Sequence, residues 1–353
     1  MKGIRMINWG VIGAGGIAYR RTIPEGIIKA KNANLIGITD IDSAASEKIG
    51  KEFSVTTYKN IDELLKDEKI DAVYIATPIY LHHEQTIRAA RNKKNILCEK
   101  VMALDQKQCY EMLKACDENK VKFAVGFMMR FNAAHIKIKE IVKNGKLGKI
   151  VMARAQLSCW YPQTEGAWRQ KKKLSMGGTL TDMGAHCLDI LEYIMGTNIT
   201  DVSCFTGNIV HDYEVEDSSL VTARFGNGAF GVIDNYFNIP DLTSKNILEI
   251  YGSKGSVLCR GTIGQESSGT CEIYLEDKEA GYSPDQKRKD IIKKEILDIH
   301  YENIYEKEIE YFSDCIEKNI QPRELSGSIG LHNIKIIEAC YDSANTSRQK
   351  KVL

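Results

Sequence analysis

The glycine-rich segment GAGGIA, residues 13–18, constrains the fold more than any other feature of the chain. It follows an apolar run at 7–13 and precedes a helix-like pattern, as the G-x-G-x-x-G/A turn of a βαβ unit does. Glycines let the backbone approach a pyrophosphate, and N–H groups at the start of the helix bind its oxygens. The segment therefore predicts a doubly wound parallel sheet that binds a dinucleotide.

The alternation of strand and helix patterns continues to residue 127. Further strands are predicted at 34–40, 71–77, 95–100 and 122–127, with helices at 81–93 and 105–119. Parallel strands joined by helices form a Rossmann sheet, so we predict an NAD-binding Rossmann domain over 1–127.

From residue 128 the pattern changes to longer strand-like runs. A helix is predicted at 132–143, and hairpin turns such as FGNGAF at 225–230 then separate the runs. Two helices, 302–318 and 326–345, close the chain. We predict an α+β domain with an open mixed or antiparallel sheet over 128–353, which binds substrate, and an α/β protein as a whole.

Charge and composition narrow the class of protein. Lys and Arg number 48 against 47 Asp and Glu, so no basic field favours nucleic acid or an anionic membrane surface. The N-terminus lacks a signal-peptide pattern, no run of about 18 apolar residues occurs, and the ten cysteines include no CxxC pair. We expect a soluble, cytoplasmic protein with reduced thiols and no nucleic-acid or membrane partner. The charge-rich stretch 285–294 is expected to form an exposed face.

Five residues are candidates for the pyrophosphate and ribose contacts. Gly13, Gly15, Gly16 and Ile17 belong to the glycine turn. Asp40 ends the next strand, at the separation where a carboxylate accepts hydrogen bonds from the adenosine ribose. Because a carboxylate repels a 2′-phosphate, Asp40 favours NAD over NADP.

Two further strand ends lie at the same edge of the predicted sheet. Thr77 and Pro78 are expected to line the nicotinamide side, followed by His82, for which the alternatives are a solvated or a packing role. Glu99 and Lys100 end the next strand, where a lysine can hold a substrate oxygen beside the cofactor. The alternative for Lys100 is a solvated surface side chain.

The segment MGGTLTDMGAHCLDIL, 176–191, carries the strongest candidate for acid–base chemistry. If a helix begins near Gly184, then Asp182 leads into it and His186 lies one turn on. Oxidation of a secondary alcohol requires a base for the O–H proton, and a histidine steered by a carboxylate suits that step. Asp189 is expected to orient His186 or to bind another partner. A structural histidine and a metal site are the alternatives, and we predict no metal.

Trp168 and Arg169 lie just before this segment. An aromatic ring and a bidentate donor could close over the cofactor or the substrate. The lysines at 171–173 are expected to be solvated.

Taken together, these motifs resemble the glucose-fructose oxidoreductase, inositol dehydrogenase and MocA family. The resemblance rests on VIGAGGIA, ATPIYLHHE, ILCEK, GFMMRFN, AWR and GGTLTDMGAHCLD in the order of that family. It implies that Lys100, Asp182 and His186 are catalytic, and it implies cofactor contacts by Gly13, Gly15, Asp40, Thr77, Pro78, Glu99 and Lys100. The GFMMRFN element adds Arg130 and Asn132 as substrate-binding candidates, beside Lys100, Arg169, Asp182 and His186. The second domain of the family often forms the oligomer interface, so the resemblance implies a homo-oligomer, a dimer or a tetramer.

The chain departs from the family pattern at three positions. Val101 stands where proline usually follows the lysine, which puts a cis or kinked peptide bond there in question. Ile79 stands where asparagine often follows Thr-Pro. Met129 stands where inositol dehydrogenases frequently have arginine, which argues against taking inositol as the substrate.

The predicted reaction is hydride transfer between NAD and a secondary hydroxyl or carbonyl of a sugar, a cyclitol or a sugar derivative. His186 would accept the alcohol proton, Lys100 would hold the same oxygen, and Asp182 would orient the substrate and tune His186. One alternative is a glycoside-cleaving enzyme that oxidises the sugar transiently and recycles bound NAD. The other is a non-catalytic nucleotide-binding regulator, which the retained Lys100, Asp182 and His186 disfavour.

Overall fold

The computed structural model describes residues 5–276, 284 and 292–353. The described strands are β1 Ile7–Ile12, β2 Ala33–Thr39, β3 Thr56–Thr57, β4 Ala72–Ile75, β5 Asn95–Glu99, β6 Phe123–Gly126, β7 Ile150–Ser158, β8 Ile199–Gly207, β9 Ser218–Phe225, β10 Phe230–Tyr236, β11 Ile247–Gly252, β12 Gly255–Arg260, β13 Thr270–Glu276, β14 Ile292–Ile296 and β15 Lys350–Lys351. The described helices are α1 Ala18–Ile27, α2 Ser43–Phe53, α3 Ile61–Lys66, α4 Ile79–Arg91, α5 Gln106–Asn119, α6 Ala133–Lys143, α7 Lys172–Ser175, α8 Ala185–Met195, α9 Ile304–Glu317 and α10 Gly327–Thr346. A wider helical turn, Leu180–Gly184, runs directly into α8, and we call residues 180–195 together the α8 segment.

The chain divides into two compact units that are not continuous in sequence. Unit 1 contains Met1–Met128, Lys171–Met176 and Glu302–Lys335, and unit 2 contains Met129–Gln170, Gly177–Tyr301 and Ile336–Leu353. The first boundary lies one residue from the predicted division at 127/128, and two later segments return to unit 1. A strict division into 1–127 and 128–353 stays a prediction.

Unit 1 is built on a six-stranded sheet of order β3-β2-β1-β4-β5-β6, in which every pair is parallel. This is the doubly wound order in which ligands bind outside the carboxyl ends of β1 and β4, where the strand order reverses. Asp105 caps α5 as a helix N-cap should, because its side chain accepts the Gln108 N–H at 2.8 Å. The Rossmann sheet predicted from the alternating pattern is confirmed.

A helix from the end of the chain completes the core of unit 1. In α9, Phe312 packs on Trp9 of β1 with ring centroids 5.8 Å apart. The Trp9 indole N–H donates to the Ser313 hydroxyl at 3.1 Å, so this fully buried donor is satisfied. Tyr305 approaches α1 at Gly26, where the backbone leaves room for it.

Unit 2 is built on a nine-stranded mixed sheet of order β14-β13-β12-β11-β7-β10-β9-β8-β15. Strands β7 and β10 are parallel, and β9 and β10 form the antiparallel hairpin predicted at FGNGAF, with Gly228 at φ +87 in its turn. Alternating side chains of β7, such as Ala153 and Ala155, are fully buried. The α8 segment lies against β7, β9 and β10, and α6 packs on α8. The predicted open mixed sheet is therefore confirmed.

Several strands and helices were not predicted from the sequence. They include α2, α3 and the outer strands β13, β14 and β15. Most of the charge-rich stretch predicted to be exposed, 285–291, lies outside the described residues, and the side chains of β14 that follow it are exposed. In the described part of the chain, no helix is long and apolar enough to span a membrane.

Candidate active site

The glycine turn lies between β1 and α1 in unit 1. Gly13 has φ +81, and a Cβ on it would overlap the backbone and side chain of Thr77. Gly16 has φ +55 and lies exposed, with open space where a Cβ would be. Both positions need the left-handed backbone that glycine adopts without strain. The turn thus has no side chains at these two positions and lies close to the end of β4, as a site for a pyrophosphate requires.

Asp40 lies beside this turn at the end of β2. Its Oδ2 accepts the Gly15 N–H at 2.9 Å, and its Oδ1 accepts the Asp42 N–H at 3.0 Å. Asp42 in turn caps α2 through its own side chain. The carboxylate is therefore held at the position from which such residues bind the adenosine ribose, and these residues fit NAD.

His82 lies on α4, with 1% of its surface exposed. Its Nδ1 lies 3.0 Å from the Val101 carbonyl oxygen and its Nε2 lies 2.8 Å from the Thr77 carbonyl oxygen. Carbonyl oxygens only accept hydrogen bonds, and a neutral imidazole carries one N–H, so His82 donates to one of these two oxygens, and the tautomer decides which. The ring connects the segment after β4 with the segment after β5, both of which were predicted to contact the cofactor. This is a structural link that the sequence pattern did not predict.

Glu99 and Lys100 lie where β5 ends. Glu99 Oε1 accepts the Tyr74 hydroxyl at 2.5 Å, and Glu99 Oε2 accepts the Lys100 backbone N–H at 3.1 Å. Tyr74 itself accepts the Thr22 hydroxyl at 2.9 Å. The Lys100–Val101 peptide bond is cis although no proline follows the lysine. A chain of hydrogen bonds therefore fixes Glu99 and the backbone of Lys100.

The α8 segment of unit 2 carries both Asp182 and His186. The helix begins four residues before the predicted start at Gly184, so Asp182 lies within its first turn, with its N–H donating to the Gly178 carbonyl at 3.0 Å. His186 comes four residues later, so the two residues are neighbours on the helix surface. Only 7% of the surface of His186 is exposed. Asp182 and His186 belong to unit 2, whereas Lys100 belongs to unit 1.

Trp168 and Arg169 form a short helical turn near Asp182. Arg169 Nε lies 3.9 Å from Asp182 Oδ2, and its guanidinium lies 4.3 Å from the centroid of the Trp168 ring. The charges of Arg169 and Asp182 both reach Tyr161, where burial raises the pKa of the hydroxyl. The two side chains are partly exposed, at 44% for Arg169 and 28% for Asp182. An aromatic ring and a carboxylate thus lie on either side of the Arg169 guanidinium.

The candidates Arg130 and Asn132 make internal contacts. Arg130 Nε and Nη2 bind the Asp189 carboxylate at 2.7–3.0 Å, and both side chains are buried. Asn132 caps α6 by accepting the Ala134 N–H at 2.9 Å and donates to the Thr262 carbonyl at 3.2 Å. Asp189 lies on the helix that carries His186, and its bond to Arg130 is one of the two roles predicted for it.

Two residues near the α8 segment, Glu216 and Tyr341, were not predicted from the sequence. Glu216 accepts the Leu180 N–H at 3.0 Å and the Tyr341 hydroxyl at 2.8 Å. The only signal in the sequence was the glycine pair at 177–178, which indicates a close approach without naming what approaches. Among the described residues, no three His, Cys, Asp or Glu side chains are grouped to hold a metal ion.

Comparison with known protein families covers both units. Residues 7–127 match the family described as an oxidoreductase family with an NAD-binding Rossmann fold. Residues 135–258 match the family described as the GFO/IDH/MocA C-terminal domain.

Individual proteins show the same relationship. The myo-inositol 2-dehydrogenase of Thermotoga maritima is 32% identical over 70% of this chain and 73% of its own. The 2,7-anhydro-N-acetylneuraminate hydratase of Escherichia coli is 30% identical over 76% of this chain and 70% of its own. The crystal structure of an aldose-aldose oxidoreductase from Caulobacter crescentus shares the fold, with a TM-score of 0.87 at 23% identity over 98% of this chain and 100% of its own. The chain therefore belongs to the Gfo/Idh/MocA family of NAD-binding oxidoreductases.

Proposed function

We propose that this oxidoreductase transfers a hydride between NAD and a secondary hydroxyl or carbonyl of a sugar, a cyclitol or a derivative of one. The observation that carries the proposal is the pairing of Asp182 with His186 one turn apart on the α8 segment, with Arg169 beside the carboxylate. A carboxylate near a histidine is the arrangement that removes an alcohol proton.

The roles of the individual residues follow from their chemistry. Bound NAD supplies the hydride acceptor, and it supplies the donor in the reverse direction as NADH. His186 takes the proton of the reacting hydroxyl, Lys100 donates a charged hydrogen bond to the same oxygen, and Asp182 orients the substrate and His186. Glu99 supports Lys100 through the backbone bond at 3.1 Å. In the reduction, His186 returns the proton.

Cofactor contacts are proposed for Gly13, Gly15, Gly16, Ile17, Asp40, Thr77, Pro78, Glu99 and Lys100. Asp40 favours NAD over NADP, because its carboxylate lies beside the glycine turn and would repel the 2′-phosphate of NADP. For His82 we propose an indirect role, since its ring lies between the Thr77 and Val101 carbonyl oxygens, at 2.8 Å and 3.0 Å from its two nitrogens.

For substrate binding we propose Arg169 as the main contact outside the acid–base pair. Trp168 supports its guanidinium by stacking. Arg130 and Asn132 act by shaping unit 2, because their polar groups are used in the contacts with Asp189, Ala134 and Thr262.

The test is NADH formation with a panel of myo-inositol, D-glucose, D-xylose and D-glucuronate, each with NAD. Wild type is expected to turn over at least one of these compounds. His186→Ala and Lys100→Met should each lower kcat by about 10²–10⁴-fold while NAD affinity, measured by calorimetry, changes far less. His300→Ala, at a histidine of unit 2 outside the α8 segment, is the matched control. Near wild-type kcat in either active-site variant would refute the role given to that residue.

A second candidate function is a redox-neutral conversion in which NAD oxidises the sugar transiently and is regenerated, as in the cleavage of a glycoside. The similarity to the 2,7-anhydro-N-acetylneuraminate hydratase of Escherichia coli favours this second candidate, since a hydratase catalyses no net oxidation. Substrate loss without net NADH formation, on a protein that retains NAD through gel filtration, would support this candidate over the first.

We also propose a homo-oligomer in the cytoplasm. The open face of the unit 2 sheet exposes Phe205 and Leu220, which are cross-strand partners in β8 and β9. Exposed apolar side chains grouped on a sheet favour association with a second copy. All ten cysteines are free thiols, and a reducing compartment keeps them so.

A further inference from the structure

The glycine pair before the α8 segment allows two distant residues to reach it. A Cβ on Gly178 would overlap the Glu216 backbone, and a Cβ on Gly177 would overlap the Tyr341 hydroxyl. Neither glycine has a positive φ, so the close approach of other residues, rather than turn geometry, explains the pair. Glu216 and Tyr341 therefore lie directly against the start of the helix.

The Glu216 side chain caps this helix. It is buried, and its Oε1 accepts the Leu180 N–H at 3.0 Å, while its backbone carbonyl accepts the Thr179 N–H at 3.1 Å. The first N–H groups of a helix have no partner within it and carry a partial positive charge. A carboxylate there accepts their hydrogen bonds and offsets that charge. The local sequence offers no such cap, because the Thr179 side chain makes no capping bond.

Burial raises the pKa of the Glu216 carboxyl, whereas the N–H groups of Gly178 and Leu180 and the Tyr341 hydroxyl act in the opposite direction. Burial also holds the pKa of the Tyr341 hydroxyl well above its usual range, so this group stays a donor. The carboxylate is the form of Glu216 that accepts all of these bonds at once.

Tyr341 extends the contact by one residue along the helix. Its hydroxyl donates to Glu216 Oε1 at 2.8 Å, so its oxygen is left to accept the Thr181 hydroxyl, which lies 2.9 Å away. Thr181 directly precedes Asp182. The first turn is thus held at two successive residues, by the backbone of Leu180 and by the side chain of Thr181.

We propose that Glu216 and Tyr341 are positioning residues that hold the first turn of the α8 segment, and with it Asp182 and His186, in the orientation that hydride transfer requires. The proposal rests on the function proposed above for Asp182 and His186. Displacement of a reacting group by about 1 Å costs on the order of 10²-fold in rate, so a cap of this kind has a large effect on turnover.

The test compares Tyr341→Phe and Glu216→Gln with the matched control Tyr58→Phe. Tyr58 also donates its hydroxyl to a carboxylate, that of Asp67 at 2.5 Å, but it lies in unit 1. Amide hydrogen exchange of residues 178–186, thermal unfolding, kcat and NAD affinity are measured on the full chain with NAD. Both test variants should exchange faster at 178–186 and lose about 10- to 100-fold in kcat, with NAD affinity within about twofold. The control should keep its kcat and its exchange at 178–186.

The outcomes separate positioning from general stability. Faster exchange with unchanged kcat would mean that the two residues only stabilise the helix, and it would overturn the proposal. Unchanged exchange would overturn it as well. If wild type turns over none of the panel compounds, the proposed function fails on its own. In that case, faster exchange of the two test variants only at 178–186, at an unchanged melting temperature, still supports the conclusion that Glu216 and Tyr341 fix the first turn of the helix.

Discussion

At the scale of single residues, we expect Asp40 to determine which nicotinamide cofactor the chain prefers. A 2′-phosphate placed about 4 Å from its carboxylate is disfavoured by about 1–4 kcal/mol, which is about 5- to 1,000-fold in affinity. We expect kcat/KM to favour NAD over NADP by a factor in this range, and Asp40→Ser to reduce that factor. Asp42→Asn, which keeps a helix cap, is the control. A wild-type preference for NADP would contradict the assignment.

Arg169 is the residue through which we expect the substrate to be recognised. Its guanidinium lies near Asp182 and over Trp168, so it can donate to a hydroxyl or a carboxylate of a ligand bound there. Loss of a charged hydrogen bond costs about 1.5–3 kcal/mol, so Arg169→Ala should raise the substrate KM about 10- to 100-fold while NAD affinity stays nearly constant. Arg91→Ala, at the exposed end of α4, is the control. A larger loss of NAD affinity would instead assign Arg169 to the cofactor.

At the scale of elements, α9 brings a carboxyl into the core of unit 1. Glu308 is almost fully buried, and burial together with the charge of Glu99 raises the pKa of Glu308 well above its usual range. Tyr74 and Tyr305 also lie within electrostatic reach of this carboxyl. The folded state thus holds a proton that the unfolded chain releases above a pH of about 4.5. Stability from Glu308 is present below that pH and is lost as pH rises toward the pKa of the folded state.

The loss of this stability as pH rises gives a measurable prediction for Glu308→Gln, because the glutamine side chain is neutral at every pH. Relative to wild type, the variant should gain stability as pH rises from about 5 to about 8, by at most about 1.4 kcal/mol per pH unit. Urea unfolding at several pH values measures the difference. Glu118→Gln, at an exposed position of α5, should show no such trend. A constant difference for Glu308→Gln would mean that the buried carboxyl does not change its proton occupancy in this range.

Elements whose signals are local were predicted well from the sequence. The glycine turn, Asp40 at the end of β2 and the Asp105 cap of α5 each depend on residues close in the chain. The cap of the α8 segment could not be predicted, because Leu180 and Glu216 are 36 residues apart and Thr181 and Tyr341 are 160 apart. Long-range contacts of this kind leave no periodicity or spacing in the sequence.

The role of Arg130 shows the same limit. As a charged residue in a family-like motif it is expected to bind substrate, and the sequence did not predict that it also binds Asp189, 59 residues away, with a bidentate geometry. A buried guanidinium needs a carboxylate partner, and only the fold determines which carboxylate is near. For the same reason the α8 segment begins earlier than predicted, since Glu216 caps it where no local side chain does.

At the scale of the whole molecule, we expect the open face of the unit 2 sheet to mediate self-association. Phe205 is 75% exposed and Leu220 is 40% exposed, and the two are direct cross-strand neighbours. A charge in place of Phe205 would have to be desolvated in an interface, so Phe205→Glu should shift the chain toward the monomer in light scattering. Ile28→Glu, at an exposed apolar residue of unit 1, should not. A monomeric wild type would contradict the oligomer prediction.

The return of the chain to unit 1 near its C-terminus has a consequence for how the protein is made. The partner of the Trp9 indole, Ser313, is synthesised 304 residues after it, so the ribosome releases β1 long before α9 can cover it. Until then Trp9 and the face of α1 that α9 covers stay in contact with water or with chaperones, because contacts so distant in sequence form late. A nascent chain or a truncated fragment ending at 127 is therefore expected to aggregate. Its tryptophan fluorescence should be that of a solvated indole until the segment 302–335 is supplied.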